Sequence, residues 1–481
     1  MENRRILILM ADEHSTKMLG CQGNPNIHTP NLDRLASQGT LFSAAYCNSP
    51  ICVPARAAFA TGRYVHETAC WDNAFGYDGR VPSWGHLLSA RGLSSYSIGK
   101  LHYKNERDDT GFTEQILPMH LVNGVGDVLG CVRDPLPVRH KSRALATDIG
   151  PGESDYNAYD RSIAAAACDW IGKHADESWV LFVSFVAPHF PLICPPEFYR
   201  LYDPAKVALP KLHKPEEWPR HPWVAALRDC FRFDDYFKDD DQRRIAIASY
   251  MGLCTFVDHQ IGQVLGALDE AGIGGETLVI YTSDHGDNVG SRGLWGKSVM
   301  YEESVAVPLI IRAPERTGGD TVATPVSHLD IAPTLTDWLG MTPDPQWRGK
   351  SLLRIANAPK DDSRVILSEY HAAGSRSAAF MIRQGTWKLV WYADAPSQLF
   401  DLAADPEELM DLADDAGCAA IRKALTDILF DICDPAATDR RAKEDQQALV
   451  DQHGGAEAVV ARGGFGATPA PGRAAVFAGR P

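Results

Sequence analysis

Four short apolar runs in this chain each stop at a residue that can do chemistry. RILILMA is followed by Asp12-Glu13, and LSSYSI by Gly99-Lys100-Leu101-His102. WVLFVSFV is followed by Ala187-Pro188-His189, and TLVIYT by Ser283-Asp284-His285-Gly286. Lys297 comes shortly after, in GLWGKSVMYEES. Two kinds of group are represented. Asp12, Glu13, Asp284 and His285 are three carboxylates and an imidazole, a set that suits a hard divalent cation such as Ca2+, Mg2+ or Mn2+. Lys100, His102, His189 and Lys297 are cationic or can pass protons, as the turnover of an anion requires. Each residue alone is ordinary, since Asp-His-Gly is commonly a turn and a loop lysine commonly a solvated charge. What joins them is their shared place after a strand, where open α/β sheets bind ligands.

A further stretch, SPICVPARAAFATGR at residues 49–63, adds a thiol. Cys52 stands two residues before Pro54 and four before Arg56, at the head of a small-residue run that reads as a helix. A helix N-terminus favours an anion. Two readings are open for Cys52: a buried thiol heading a core helix, or a thiolate nucleophile of lowered pKa. The second conflicts with the oxygen-rich set, because a soft sulfur pairs poorly with a hard cation. An oxygen nucleophile would suit that site better.

Such residues need a scaffold that brings strand ends to one edge. Residues 5–11, 93–98, 179–186, 277–282 and 307–311 are short, apolar and β-branched, and helical patterns separate them. Near-continuous apolar strands predict a large, mostly parallel sheet sandwiched by helices, an α/β fold. Thr29-Pro30 has N-cap and first-turn chemistry for a helix that ends at Gly39. Leu253, Val257, Ile261, Val264 and Leu268 recur at helical spacing within residues 250–272. Residues 115–152 and 205–240 have little periodicity and are too long for plain connectors, so they are expected to cover a site or an interface. After residue 362 the character changes. RQGTWKLVWYA and SQLFDLAADPEELMDL predict a small antiparallel sheet and then a helix. The chain therefore divides into a catalytic domain, 1–362, and a C-terminal subdomain, 363–481. Its Gly, Ala and Pro-rich end reads as an arm or tail, a segment suited to homo-oligomer contacts.

Composition narrows the function classes. The 481 residues are 45% hydrophobic and 23% charged, an ordinary globular balance. No apolar run approaches the ~20 residues of a membrane span. Residues 6–11 are too short for a signal-peptide core, so a cytoplasmic protein is expected. The 11 cysteines are scattered without a CxxC pair, against a disulfide framework or a structural zinc site. A net charge of −15 disfavours nucleic acid as a partner. An anionic substrate would need a local basic pocket.

The motifs together resemble one family. Cys52-Val53-Pro54-Ala55-Arg56, with Thr61-Gly62-Arg63 beyond, is similar to the C-x-P-x-R…TGR signature of the type I sulfatases of the alkaline phosphatase superfamily. TPNLDRLASQGTLFSAAY, GKLH, APHFP, SDHGD, GKSVMYEESVAVPLII and VSHLDIAPTLTDWLG resemble that family's blocks in its order, and QLFDLAADPEEL its C-terminal subdomain. The resemblance implies a sulfuric ester hydrolase of arylsulfatase type acting on a small-molecule sulfate ester. It implies that a maturation enzyme oxidises Cys52 to formylglycine, whose hydrate is a geminal diol. The residue would be encoded as sulfur and act as oxygen. Asp12, Glu13, Asp284 and His285, with the converted Cys52, would bind one divalent metal, Ca2+ by family default. Arg56 would support the diol, and Lys100 and Lys297 would hold the sulfate oxygens. His189, with Lys297, would protonate the leaving oxygen, while His102 would take the proton that lets sulfate depart. Asn73 falls where some relatives contact the substrate anion.

Two positions depart from the commonest pattern. Glu13 stands where many sulfatases have Asp, and His285 where many have Asn, which makes Mn2+ the alternative metal. Asp-His at this point also occurs in choline sulfatases and phosphonate monoester hydrolases. The alternative activity is therefore phosphonate monoester or phosphodiester hydrolysis on the same scaffold. EYHAAG at residues 369–374 resembles the choline sulfatase group, which offers Glu369 as a contact to a cationic substrate. An inactive binding protein is the reading from another class, and the intact motif set counts against it.

Overall fold

The computed structural model describes residues 4–315 and 318–477. At its centre an eight-stranded sheet runs Asp320–Val322, Thr40–Phe42, Leu309–Arg312, Thr277–Ser283, Arg5–Asp12, Trp179–Pro188, Ser95–Lys100, Glu114–Met119. Only Leu309–Arg312 runs against the others. The reason for the apolar strands is visible in Arg5–Asp12, buried along its whole length. Leu7, Leu9 and Ala11 point to a core shared with the helices Pro30–Ser37, Asp155–Lys173 and Asp240–Glu270. Ile6, Ile8 and Met10 point the other way, to a core shared with Cys52–Thr61 and Ile331–Trp338. Side chains alternate in a strand, so a sheet covered on both faces needs apolar residues at every position. Each fully buried Leu, Ile or Phe adds about 1.5–3 kcal/mol.

The C-terminal sheet is antiparallel, in the order Val365–Tyr370, Ala379–Gln384, Trp387–Tyr392, Gln398–Asp401. The helix Ala419–Ile432 covers one face through Leu425 and Leu429. The other face joins the second main core through Ile366, Met381 and Val390. Among the described residues, no helix is long and apolar enough to cross a membrane.

Two local expectations need correction. Pro30–Ser37 is a helix, but Thr29 does not cap it through its side chain. The Thr29 hydroxyl accepts from Gly20 N and donates to Asp33. The cap comes from Asp258 on the long helix, which accepts from Leu32 N at 2.8 Å and Asn31 N at 3.2 Å. A buried carboxylate facing two orphan N–H groups outcompetes the local hydroxyl. The described part of the C-terminal stretch is also no free tail. Residues 463–477 fold back across the carboxyl edge of the sheet, where Phe465 and Ala470 are buried. Lys141 Nζ donates to Phe465 O at 3.3 Å and Val476 O at 2.7 Å, and Arg473 pairs with Asp155 at 3.0 Å. A stretch so rich in glycine and small residues has no period to reveal this course.

Candidate active site

The strand ends deliver the expected residues to one crevice. The Arg5–Asp12 ladder slips between Met10 and Asp12, so that Asp12 pairs with Pro188. Gly99 has φ 99°, and a Cβ there would lie 2.2 Å from Ser184 O. Only glycine lets the Ser95–Lys100 strand close on its neighbour and present Lys100. Three non-glycine residues at the crevice also have left-handed backbone, Glu13 (φ 71°), His102 (φ 59°) and Ser298 (φ 88°). Such conformations cost ~1–3 kcal/mol each and gather at functional sites.

One donor group forms around the head of the Cys52–Thr61 helix. Single ligand atoms of Asp12, Cys52, Asp284 and His285 all lie within 4.8 Å of one another, and all four residues are buried. Cys52 Sγ is 3.2 Å from His285 Nε2 and 3.7 Å from Asp12 Oδ1. His285 Nδ1 lies 3.0 Å from Gly286 O, which takes its N–H and leaves the Nε2 lone pair for the cluster. Two carboxylates and such an imidazole fit a divalent cation.

Arg56 holds this group in shape. Its Nε donates to Asp284 at 2.8 Å, Nη2 to Asp12 at 2.9 Å, and Nη1 to Lys100 O at 2.8 Å and Ser184 Oγ at 2.9 Å. Lys100 Nζ adds an ion pair with Asp12 at 2.6 Å. Burial alone would push the Asp12 carboxyl up, but Lys100, His189 and Arg56 together hold it well below the usual range. The Cys52 thiol goes the other way. Burial, then the Asp12 charge, pushes it up to about 11, so the encoded side chain is no thiolate.

Glu13 stands apart from the sequence-expected metal set. Its ligand atom groups with Asp12 and His189 instead. Oε2 lies 3.0 Å from Lys297 Nζ and 3.4 Å from His189 Nε2. Oε1 is buried with no hydrogen-bond partner among the described residues. Burial raises this carboxyl to about 8 despite Lys297.

The crevice opens into a cavity of about 100 Å³. Cys52, Lys100, His102, His189 and Lys297 line its floor, and Phe190, Phe231, Phe233 and Leu145 supply apolar walls. A larger cavity of about 450 Å³ lies beside Ile331–Trp338, with no such convergence of groups. Burial lowers the imidazole pKa of both His102 and His189, helped by Lys100 for the first and Lys297 for the second. His189 Nδ1 is 2.7 Å from Phe190 O, which takes its N–H and leaves Nε2 as the atom that accepts a proton before passing it on. Both aperiodic segments reach the site: Asp127, Arg139 and Lys141 come from the first, Phe231 and Phe233 from the second.

Asn73 and Glu369, both expected to contact the substrate, are placed unlike each other. Asn73 lines the cavity, but its Oδ1 accepts from Val53 N at 3.1 Å, so only its amide N–H groups remain for an anion. Glu369 does not line the cavity. It is fully buried, 2.8 Å from His66 Nδ1 and 3.2 Å from His371 Nε2, and those two rings take the carboxylate a cationic substrate would need. Sequence reasoning also missed residues. Ser184 was detectable as a lone polar side chain inside an apolar strand. Tyr156 and Thr468 had no local signal.

Comparison with known proteins agrees with this geometry. The sulfatase family model matches residues 4–341, and the model for the C-terminal region of N-sulphoglucosamine sulphohydrolase matches 290–434. The chain is 32% identical to a choline-sulfatase of Rhizobium meliloti over 425 residues, covering 85% of this chain and 82% of that one. It is 27% identical to arylsulfatase K of Mus musculus, covering 85% and 76%. The crystal structure of a phosphonate monoester hydrolase of Agrobacterium radiobacter superposes with a TM-score of 0.74 at 26% identity, covering 89% and 95%. With the motif set gathered at one sheet edge, the chain belongs to the sulfatase family and is a sulfuric ester hydrolase.

Proposed function

We propose that the enzyme hydrolyses a small-molecule sulfate monoester with Cys52 converted to formylglycine and one divalent cation held by Asp12, Asp284, His285 and residue 52, with Glu13 at its edge. The observation that carries this is the packing of those four ligand groups within 4.8 Å at a helix head, ringed by Lys100, Lys297, His102 and His189. Ca2+ matches the carboxylates, and Mn2+ is the alternative that the His285 imidazole favours. When bound, the cation supplies concentrated positive charge that lowers the pKa of a ligated hydroxyl, and the hydrated formylglycine supplies the hydroxyls. The chain's own residues do the rest. Arg56 fixes Asp12 and Asp284. Lys100 and Lys297 offset charge on the sulfate oxygens, a preorganised effect worth several kcal/mol in such sites. His189, once protonated at Nε2, gives that proton to the leaving oxygen, and His102 takes one when sulfate leaves, contributions of ~10²–10⁴-fold. The phenylalanine walls suit an apolar or aromatic alcohol.

The test uses protein produced with a formylglycine-generating enzyme, with conversion at Cys52 confirmed by peptide mass spectrometry. kcat/KM is then compared for an aryl sulfate and an aryl phosphonate monoester with the same leaving group. The sulfate is expected to win. Preference for the phosphonate would move the enzyme to the activity of its Agrobacterium structural neighbour.

A further inference from the structure

The returning segment touches a residue proposed to move a proton. Thr468, 8% exposed, lines the cavity and places its Oγ1 2.8 Å from Nε2 of His102. Its backbone is fixed independently, because Tyr156 OH donates to Thr468 O. Lys141 and Arg473 pin the segment on either side. The other ring nitrogen, His102 Nδ1, is buried with no hydrogen-bond partner among the described residues. The main chain of His102 is also held, with its N–H donating to Met119 O at 2.7 Å.

A neutral imidazole has one N–H and one lone pair, and the bond made at one nitrogen decides the state of the other. A threonine hydroxyl can accept from Nε2–H or donate to Nε2. If it donated, Nδ1 would carry a buried N–H with no acceptor, a costly arrangement. Lys100 and Arg56 act on this ring by charge, and cations favour a lone pair over a second donor dipole. We propose that Thr468 is a positioning residue that accepts the Nε2–H of His102, so that Nδ1 keeps the lone pair that takes the proton. This rests on the base role proposed above for His102. It explains why a chain end without local pattern is tied down at several points over the cavity.

The first readout needs no activity. In protein labelled with [15N]histidine, long-range 1H–15N spectra distinguish the two tautomers, and the His102 signals are those lost in His102→Gln. The Nε2–H tautomer is expected in the native protein and in Thr468→Ser, and a mixture in Thr468→Val. The Nδ1–H tautomer in the native protein overturns the proposal. The second readout uses the converted enzyme. Thr468→Val is expected to lower kcat ~10–100-fold with KM changed less than about threefold, and Thr468→Ser to restore kcat. Unchanged kcat in Thr468→Val, alongside a lowered kcat in His102→Gln, overturns the positioning role alone. Unchanged kcat in His102→Gln overturns the base role itself, and the proposal with it.

Discussion

At the scale of single residues, Cys52 and Arg56 divide the work of the site. Cys52 is buried and neutral as encoded, its thiol pushed up to about 11 by burial and then by Asp12. Under the proposed function, its value to the site lies in the diol that would replace the sulfur. A serine offers one hydroxyl where the proposed diol offers two. Cys52→Ser is therefore expected to release at most one equivalent of alcohol and to keep sulfate, seen as a matching mass gain on the intact protein. Repeated turnover would contradict the diol. Arg56 has no chemical step of its own, yet it makes four hydrogen bonds to Asp12, Asp284, Lys100 O and Ser184. Arg56→Met leaves two buried carboxylates short of a partner and should cost about 3–5 kcal/mol, read from urea midpoints. The two residues were legible in the sequence because the Cys-Val-Pro-Ala-Arg run is contiguous, but the resemblance implied support of the diol for Arg56, not the hold on Asp12 and Asp284. Ser184 was not, because nothing local links position 184 to position 56.

At the scale of elements, each strand is a delivery device with its own condition for working. Ser95–Lys100 presents Lys100 only because Gly99 clears Ser184 O. Gly99→Ala combines a disfavoured backbone conformation with a backbone clash. It is expected to lower Tm by an amount equivalent to about 1–3 kcal/mol and to reduce kcat by moving Lys100. A Tm and kcat both at native values would show that the strands can separate without consequence. Strand existence was legible from apolar runs bounded by polar residues. The cap of Pro30–Ser37 was not, since its carboxylate lies 226 and 227 residues away along the chain. Composition around Thr29 gave the helix start but not the group that satisfies it.

At the scale of the molecule, Glu369 ties the C-terminal sheet to the segments on either side of the active-site helix. It lies on Val365–Tyr370, receives His66 from the helix after the active-site helix, and donates its N–H to Asn48 O at 2.9 Å. Burial alone would raise its carboxyl. Attraction to His66 and hydrogen bonds from His371 and His66 outweigh burial and lower it from 4.5 to about 2. A depressed carboxyl stabilises the fold fully above its ordinary value of 4.5, and that contribution is lost as pH falls through about 2. Glu369→Gln should flatten the acid limb of the stability curve in that window. It should also cost on the order of 3 kcal/mol at neutral pH, measured by denaturant midpoints across pH. His66, raised by Glu369 against the effect of burial, has the opposite sign: its share is present below 6.5 and lost as pH climbs through its folded value. The resemblance of EYHAAG to choline sulfatases was legible, but burial of the carboxylate was not, because it depends on residues 48 and 66, more than 300 positions away along the chain. The same holds for the cavity walls, which come from segments without periodicity.

The burial of Cys52 also sets a schedule. In the finished protein this residue is 1% exposed, at the floor of a cavity that residues 465–468 help to enclose. No second enzyme could grip the surrounding peptide there. The oxidation proposed for Cys52 therefore belongs to the time before folding closes the cavity over position 52. Under that proposal a chain that completes its folding unconverted keeps its thiol and stays inactive, so catalytic competence is decided before the fold is complete.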